Sequence, residues 1–445
     1  MYKLSDKEST HIIVNMGHPL SWVALSRDAS HDTEITDALV KRAYAVVSCR
    51  NPLLRAVYKP DTAKFSLVIR DISEVVQDEA DGQLPAHTTT AFRTRDEAWA
   101  EYKRNVECVR WKCSAMWEVT VCILDRERSP DTAYAIFAHF NHAVTDGAAV
   151  MKALGDFVRV LNAGLTGDST TLPPHNFLGE SMPVPRPFHE RYPLYKFVDA
   201  ASDDAKEELF KRANEALALK SAKMRSMISD RSFTEEATGN FIDRCKRHGV
   251  SVTAGLFAVV AMASRARKFN SFMPFSFRTK ENLDEVSMSF TSIGISQDFT
   301  SAWSKAQSTE DEEFWATLAG AFHKEIHAKI ASDEEKYTGR ALSFVHASFS
   351  DVPPLKDSVC FGPNNDEIFI GMSNVGVVDG YFEDRGPLRP TDVTGYCTNL
   401  AAPESVVWCY TFRGRFHISV LDVTPPDRRE VFEAFTTRIF DIIGN

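Results

Sequence analysis

The sequence predicts an α/β or α+β protein in two units. Three observations carry that expectation. Runs with apolar residues at every second position alternate with runs at helical spacing, and they do so in both halves. A proline-rich stretch separates the halves. At 445 residues the chain is long enough for two or three domains. The expected division is a first unit over 1–172, a linker over 173–200 and a second unit over 201–445.

Residues 35–48 read as an amphipathic helix. Asn51 to Tyr58 passes from a turn into a strand. From Trp117 to Leu124, apolar residues at Trp117, Val119, Val121 and Ile123 keep the period of a strand. Ala133 to His139, with Tyr134, Ile136 and Phe137, reads as the next strand. It runs into His139-Phe140-Asn141-His142-Ala143-Val144-Thr145-Asp146-Gly147. Ala148 to Asn162 then reads as a helix, with Met151, Leu154, Phe157, Val158 and Leu161 at helical spacing. Gly164 and Gly167 are expected to stop it. The local order is strand, polar loop, helix.

The linker holds Pro173, Pro174, Pro183, Pro185, Pro187 and Pro193. Proline fixes the backbone and removes a donor, so the stretch suits a linker better than a core element. Beyond it, Ser232-Phe233-Thr234-Glu235 reads as a capping box for a helix to about His248, with Gly249 after it. Val252 to Ala266 is apolar almost all round, the pattern of a helix buried on most sides. Phe275 to Arg278, Ile368 to Ile370, Val406 to Phe412 and Phe416 to Leu421 read as strands. Arg413-Gly414-Arg415 is the expected hairpin turn between the last two. Asp427 to Ile443 reads as a final helix.

Composition excludes several function classes. Hydrophobic residues at 44% and charged residues at 25% give enough apolar surface to fold, so disorder is not the main state. The 51 basic and 61 acidic residues leave a net charge of -10, which argues against nucleic-acid partners and against a polybasic membrane anchor. No run approaches the ~18 apolar residues of a membrane span. The first residues, Met1 to Lys7, carry no apolar signal core, so a cytoplasmic protein with reduced thiols is expected. The eight cysteines are scattered with no C-x-x-C pair, which does not suit a structural zinc site. The 30 phenylalanines permit an apolar substrate, and core packing explains them equally well.

Other candidates have simpler readings. His323 and His327 share one helix face, but the order is not H-E-x-x-H, a third ligand is missing and the surroundings are charged. No metal is expected. Cys108 and Cys113 flank Trp111 with nothing nearby in sequence to lower a thiol pKa. Ser405 and Ser419 lack the G-x-S-x-G elbow. Neither a phosphate-cradling G-x-x-x-x-G-K-[ST] loop nor a G-x-G-x-x-G turn occurs, so no nucleotide cofactor is expected. Glu310-Asp311-Glu312-Glu313 reads as a helix start, where negative charge meets the dipole.

The strongest chemical signal is His142-x-x-x-Asp146-Gly147 on the loop after a strand. A histidine can take and return a proton near neutral pH. An aspartate four residues on can brace the loop or pair with a cation. Gly147 permits a backbone angle or a close approach that a side chain would block. The bland reading is a loop histidine satisfied by its own backbone.

Phe140 to Gly147 resembles the H-H-x-x-x-D-G signature of the condensation-domain and chloramphenicol-acetyltransferase-like superfamily. Its alcohol acetyltransferase branch and the polyketide-associated acyltransferases look nearest. Further stretches agree in order. Asn51-Pro52-Leu53-Leu54-Arg55 resembles an "H-P-x-L-R" segment, and Val252 to Ala258 the start of a buried helix. Pro274 to Arg278 resembles an arginine-bearing strand, and Met372-Ser373-Asn374-Val375-Gly376 an "S-N-x-G" segment near the cleft. The resemblance spans nearly the whole chain. It departs at Asn141, where the family has its first histidine. The D-F-G-W-G segment of the plant branch has no match, and Asp379-Gly380-Tyr381 is not a substitute.

The resemblance implies an α/β pseudodimer of two chloramphenicol-acetyltransferase-like lobes with a tunnel between them. His142 would be the general base, deprotonating an acceptor as it attacks a thioester. Asp146 would pair with Arg278 and hold the loop, with Asn141 in a supporting place. Ser373 and Asn374 would line the tunnel and help hold the oxyanion. His139 would be structural. Acyl-CoA would be a cosubstrate rather than a bound cofactor, and a separate acyl carrier protein is an alternative donor. An alcohol is the first acceptor expected. Amide formation or cyclisation on the same fold is an alternative, as is a noncatalytic binding protein.

Overall fold

Two large apolar cores organise the described residues, and one strand runs from the second half back into the first. The computed structural model describes residues 2–3, 19–28, 34–58, 66–106, 115–168, 182–194, 196–197, 225–278, 285–299, 312–339, 367–383, 385–397, 405–424 and 428–444. Cys108, Trp111, Cys113, Pro173, Pro174, Glu310 and Asp311 lie outside the described residues.

In the first half the strands of the main sheet are β1 (Pro19–Arg27), β2 (Ala86–Thr89), β3 (Trp117–Ile123) and β4 (Tyr134–Phe140), and Tyr2–Lys3, Ala56–Tyr58 and Ser66–Ile69 form a small separate sheet. The helices are α1 (Asp37–Arg50), α2 (Ile72–Ala80), α3 (Arg95–Val106) and α4 (Gly147–Thr166). Thr36 caps α1 by accepting the Leu39 amide at 3.2 Å. The expected helix and strands are present within a few residues of their expected ends. Gly164 does not stop α4. The helix runs on to Thr166, burying Leu165, and ends where Gly167 takes a φ of 72°.

In the second half the strands are β5 (Arg225–Ser232), β6 (Lys268–Ser276), β7 (Phe290–Asp298), β8 (Glu367–Val377), β9 (Leu388–Cys397), β10 (Ser405–Phe412) and β11 (Arg415–Thr424). The main helices are α5 (Glu235–Arg247), α6 (Val252–Ser264), α7 (Gly320–Ala331) and α8 (Arg429–Gly444). Thr234, not Ser232, caps α5, its hydroxyl accepting the Ala237 amide at 3.1 Å. Ser232 is still paired in β5, so the chain leaves the sheet two residues later than a Ser232 cap would need. Helix α6 is buried nearly all round, as its composition predicts. The β10–β11 hairpin turns at Arg413 and Gly414, with φ of 50° and 69°. Positive φ at both positions suits the strand twist.

Sheet order explains how the halves are joined. The second-half sheet is six-stranded, in the order β7-β6-β8-β10-β11-β5. Strand β8 runs parallel to both β6 and β10, and the other pairings are antiparallel. The first-half sheet is five-stranded, in the order β9-β1-β4-β3-β2. Strand β9 lies within the expected second unit, 201–445, yet pairs antiparallel with β1 along its length. The physical reason is burial: Leu388, Val393, Trp408, Tyr410 and Phe412 belong to the first core rather than the second. Pro390 is accommodated at a register shift between Pro390 and Asp392.

Helix α4 steers that crossing. The Asn162 amide donates to the Leu388 carbonyl at 3.0 Å, and its Oδ1 accepts the Leu388 amide at 2.7 Å. Nearer its middle, α4 presses its backbone on the turn at Asp379–Tyr381. A Cβ at Gly155 would sit 1.8 Å from the Tyr381 carbonyl oxygen. Within the expected linker, Phe188 is fully buried and opens a one-turn helix, Phe188–Arg191. Among the described residues no single helix is long and apolar enough to cross a membrane.

Gly155→Ala tests the α4 contact. The methyl group gains about 1 kcal/mol of helix propensity. It must also displace the 379–381 turn, and overpacking of that kind costs about 1–3 kcal/mol or more. The urea unfolding midpoint is expected to fall.

Candidate active site

The loop after β4 is shaped by its own backbone and a small apolar cluster. The Asn141 amide donates to the Met116 carbonyl at 2.9 Å, holding the loop to the start of β3. The Asn141 Oδ1 accepts the Ala143 amide at 2.9 Å, a side-chain-made turn. The Thr145 hydroxyl donates to the Asn141 carbonyl at 3.0 Å. Ala143 and Val144 are buried against Leu53, Ala56, Leu67 and Met116. The Asn51–Arg55 segment therefore supports the loop through Leu53. Arg55 pins that segment by donating to the Cys49 and Arg70 carbonyls at 2.7 and 2.8 Å.

His142 is half-buried in this loop. Its Nδ1 lies 2.6 Å from the Thr145 carbonyl oxygen. A carbonyl only accepts, so Nδ1 is assigned the proton and the lone pair falls on Nε2. The imidazole stacks on Phe290, with centroids 5.4 Å apart and planes at 28°. Phe290 opens β7, so the ring meets the second half of the chain directly.

Asp146 caps α4. Its Oδ1 accepts the Ala149 amide at 3.0 Å. Its Oδ2 accepts Arg278 Nη1 at 2.5 Å and the Ser289 amide at 2.8 Å. Both charged side chains are almost fully buried. Burial pushes the Asp146 carboxyl up, but the Arg278 charge and hydrogen bond and the two amides outweigh it and hold the group below its ordinary 3.8. Gly147 is needed for close approach: a Cβ there would meet the Trp408 ring at 3.0 Å and Val375 at 3.3 Å. The start of α4 therefore rests on β8 and β10.

Ser373 and Asn374 lie in β8, beside Val375. The β8–β10 register shifts between Asn374 and Val377, and Gly376 takes a φ of 83° there. The Asn374 Oδ1 accepts the Gly376 amide at 3.0 Å, and its Nδ2 donates to the Thr253 hydroxyl at 3.1 Å. Asn374 thus ties the bulge to the first turn of α6. Ser373 is half-buried, and its carbonyl accepts the Cys409 thiol at 3.5 Å.

The other residues singled out from sequence have structural places. His139 lies in β4 with Nδ1 2.6 Å from Glu118, whose carboxyl is lowered mainly by that contact, against burial. His323 accepts the Ser251 amide at 3.1 Å, on the residue that caps α6. Burial and the neighbouring His327 lower its pKa. Ser405 donates to Asp422 at 2.5 Å inside the second sheet. Cys49, Cys122, Cys245 and Cys409 are buried free thiols, with burial pushing the first three up to about 11, 12 and 12. Sequence reading missed Ser287 to Phe290 and Arg191, which reach the same place. None carries a local signal, because the contacts that bring them to the site, Arg191 with Ser289 and Ser289 with Asp146, span 98 and 143 positions.

The chain has the two-lobed α/β fold of the condensation-domain and chloramphenicol-acetyltransferase-like acyltransferase superfamily. No family model matches it, and no curated protein matches it by sequence. Solved structures match across nearly the whole chain. The TRI3 trichothecene 15-O-acetyltransferase from Fusarium sporotrichioides matches with TM-score 0.66 and 12% identity, over 97% of this chain and 94% of that one. Polyketide synthase associated protein 5 from Mycobacterium tuberculosis matches with TM-score 0.59 and 13% identity, over 99% and 98%. The EpoB cyclization-docking bidomain from Sorangium cellulosum matches with TM-score 0.55 and 13% identity, over 99% and 85%.

Asp146→Asn keeps the shape and removes the charge. Leaving Arg278 buried without its partner is expected to cost about 3–5 kcal/mol. The pH dependence has a definite sign. The folded carboxyl is depressed, so its stabilisation is complete above pH about 4 and is lost as pH falls through the folded value. In urea titrations across pH, the gap between wild type and Asp146→Asn should narrow only on the acid side of that point.

Proposed function

We propose that the protein is an acyltransferase that moves an acyl group from a thioester to an alcohol, with His142 as general base. The observation that carries this reading is the 2.6 Å contact between His142 Nδ1 and the Thr145 carbonyl oxygen. A carbonyl only accepts, so the proton is assigned to Nδ1 and the basic lone pair to Nε2. Nε2 takes the acceptor's proton as its oxygen bonds to the thioester carbonyl carbon. The tetrahedral intermediate then collapses, the C–S bond breaks, and the imidazolium returns the proton to the departing thiolate. No acyl-enzyme is needed, because the thioester is already activated. The protein's share is orientation and proton transfer.

Asp146 has a shaping role, since its lone pairs already serve Arg278, Ser289 and Ala149. Asn141 supports the loop in place of the family's first histidine through its bond to the Ala143 amide. Asn374 holds the β8 bulge in shape through Thr253 and Gly376, and its second amide hydrogen, with Ser373 beside it, is the donor proposed for an oxyanion. The donor is acyl-CoA or an acyl group on a separate carrier protein. The acetyltransferase named among the similar structures supports ester formation. The cyclization and condensation domains that share the fold favour a second reading, in which the acceptor is an amine or the bound intermediate is cyclised.

His142→Ala is the direct test. Loss of a positioned general base costs about 10²–10⁴-fold in rate. Thioester consumption, followed with a panel of alcohols and amines, should fall by that amount, while the melting temperature stays near wild type. Unchanged turnover would remove His142 as the base. Esters among the products support the first reading and amides the second.

A further inference from the structure

We infer that Arg191 is a positioning residue for the base, acting through the short segment Ser287–Phe290. This rests on the acyltransferase reading for its kinetic consequence, and on geometry alone for its structural one. The segment delivers two groups to the site. The Ser289 amide reaches Asp146 Oδ2 at 2.8 Å, and the Phe290 ring stacks on His142. Whatever fixes this segment therefore fixes both the carboxylate that ends the loop and the surface on which the imidazole rests.

Two arginines grip the segment. Arg278 donates to the Ser287 carbonyl at 2.5 Å while its other nitrogen holds Asp146. Arg191 takes the next carbonyl, Met288, with Nη2 at 2.6 Å. Its Nη1 donates to the Ser289 and Ser287 hydroxyls at 2.8 and 3.1 Å. Its Nε donates to the Arg186 carbonyl at 2.7 Å, which anchors the guanidinium to its own stretch of chain. Glu285 stands 3.7 Å away and balances the charge. The last carbonyl, Ser289, accepts the Phe277 amide at 2.8 Å. Every carbonyl from Ser287 to Ser289 thus has a donor, two of the three from guanidinium groups. Ser287, Met288 and Ser289 are buried, so these donors replace water.

The chemistry demands arginine at 191. A planar fork reaches three oxygens on one segment and a fourth on another strip of chain at once. An ammonium on a flexible stem is a point charge that cannot span them. The anchoring is also firm on the other side. Phe188, one turn earlier, is fully buried, and its ring meets Tyr192 at 4.8 Å and Phe277 at 6.1 Å. The proline-rich stretch therefore carries a fixed arm that reaches into the site from outside both sheets. Without it, Arg278 and the Phe277 amide would still hold the two ends of the segment, but the Met288 carbonyl and both serine hydroxyls would lose their guanidinium donor, and the Ser289 amide and Phe290 ring would gain freedom.

Arg191→Lys and Arg191→Ala test this, with His142→Ala as the control for the reading itself. A misplacement of about 1 Å at a reacting group can cost about 10²-fold. The expected result is a kcat lower by about ten- to a hundred-fold with KM for the thioester changed less than about two-fold. Lysine should rescue little of it. In ¹⁵N-histidine spectra of the full chain, wild-type His142 should be the Nδ1–H tautomer, and the Nε2–H form should gain population in both variants. A fold-only role would lower the melting temperature and leave the tautomer and the kcat-to-KM split unmoved. A folded Arg191→Lys protein with wild-type kcat and an unchanged tautomer overturns the inference. Should both variants fail to fold, the double change Ser287→Ala, Ser289→Ala removes two acceptors and keeps the Met288 contact. An unchanged His142 tautomer there overturns it equally. If His142→Ala leaves turnover intact, the acyltransferase reading falls, and the tautomer measurement still decides the place of Arg191.

Discussion

The Asp146 carboxylate accepts from three donors that come from three places in the chain. One is the amide of its own helix, one is Arg278 beyond β6, and one is the Ser289 amide before β7. An isolated charge at this depth would cost several kcal/mol, so its donors must be present together or the loop must rearrange. Because Asp146 is also the cap of α4, the same group decides where the helix starts and where the His142 loop ends. The interaction is architectural, and it joins the halves beside His142.

Close backbone approach is the second constraint. Trp408 lies against both Gly147 and Gly395, where added Cβ atoms would meet it at 3.0 and 3.3 Å. A ring from the second sheet can therefore sit between the start of α4 and the crossing strand β9. Farther along, Gly155 lets α4 reach the turn at Tyr381. Overpacking at any of these positions would separate elements that the loop needs in contact. The crossing of β9 follows the same logic. Its apolar residues, with Trp408, Tyr410 and Phe412 beside them, complete the first core. The first half of the chain does not bury that surface by itself.

Local pattern made much of this legible. The period-two runs marked β3 and β4, the helical spacing marked α4, and the apolar run marked α6. The loop between β4 and α4 was found from His142, Asp146 and Gly147, residue types that suit proton transfer, pairing with a cation and close approach, while the capping of α4 by Asp146 was seen only in the structure. Boundaries were read less well. Gly164 looks like a stop in sequence, but the buried face of α4 continues past it to Leu165, and burial outweighs about 1 kcal/mol of glycine penalty. Ser232 and Thr234 are equivalent as local capping signals. Pairing of β5 with β11 keeps Ser232 in the sheet and leaves the cap to Thr234.

The linear order of residues was enough to determine the α/β class, the main elements and the position of the candidate base, whereas the pairing of Asp146 with Arg278, 132 positions away, was expected only through the family resemblance. The class, the elements and the base position rest on periodicity within a few turns, or on a motif with its own residue types. Tertiary structure alone decided that β9 joins the first sheet and that Trp408 packs against two glycines. It also decided that Arg191 and Ser289 converge on the loop. The reason is distance along the chain: Arg191 meets Ser289 across 98 positions, and Asp146 meets it across 143. No local propensity encodes such meetings. They arise only when buried polar groups must find donors and apolar faces must find cover at the same time.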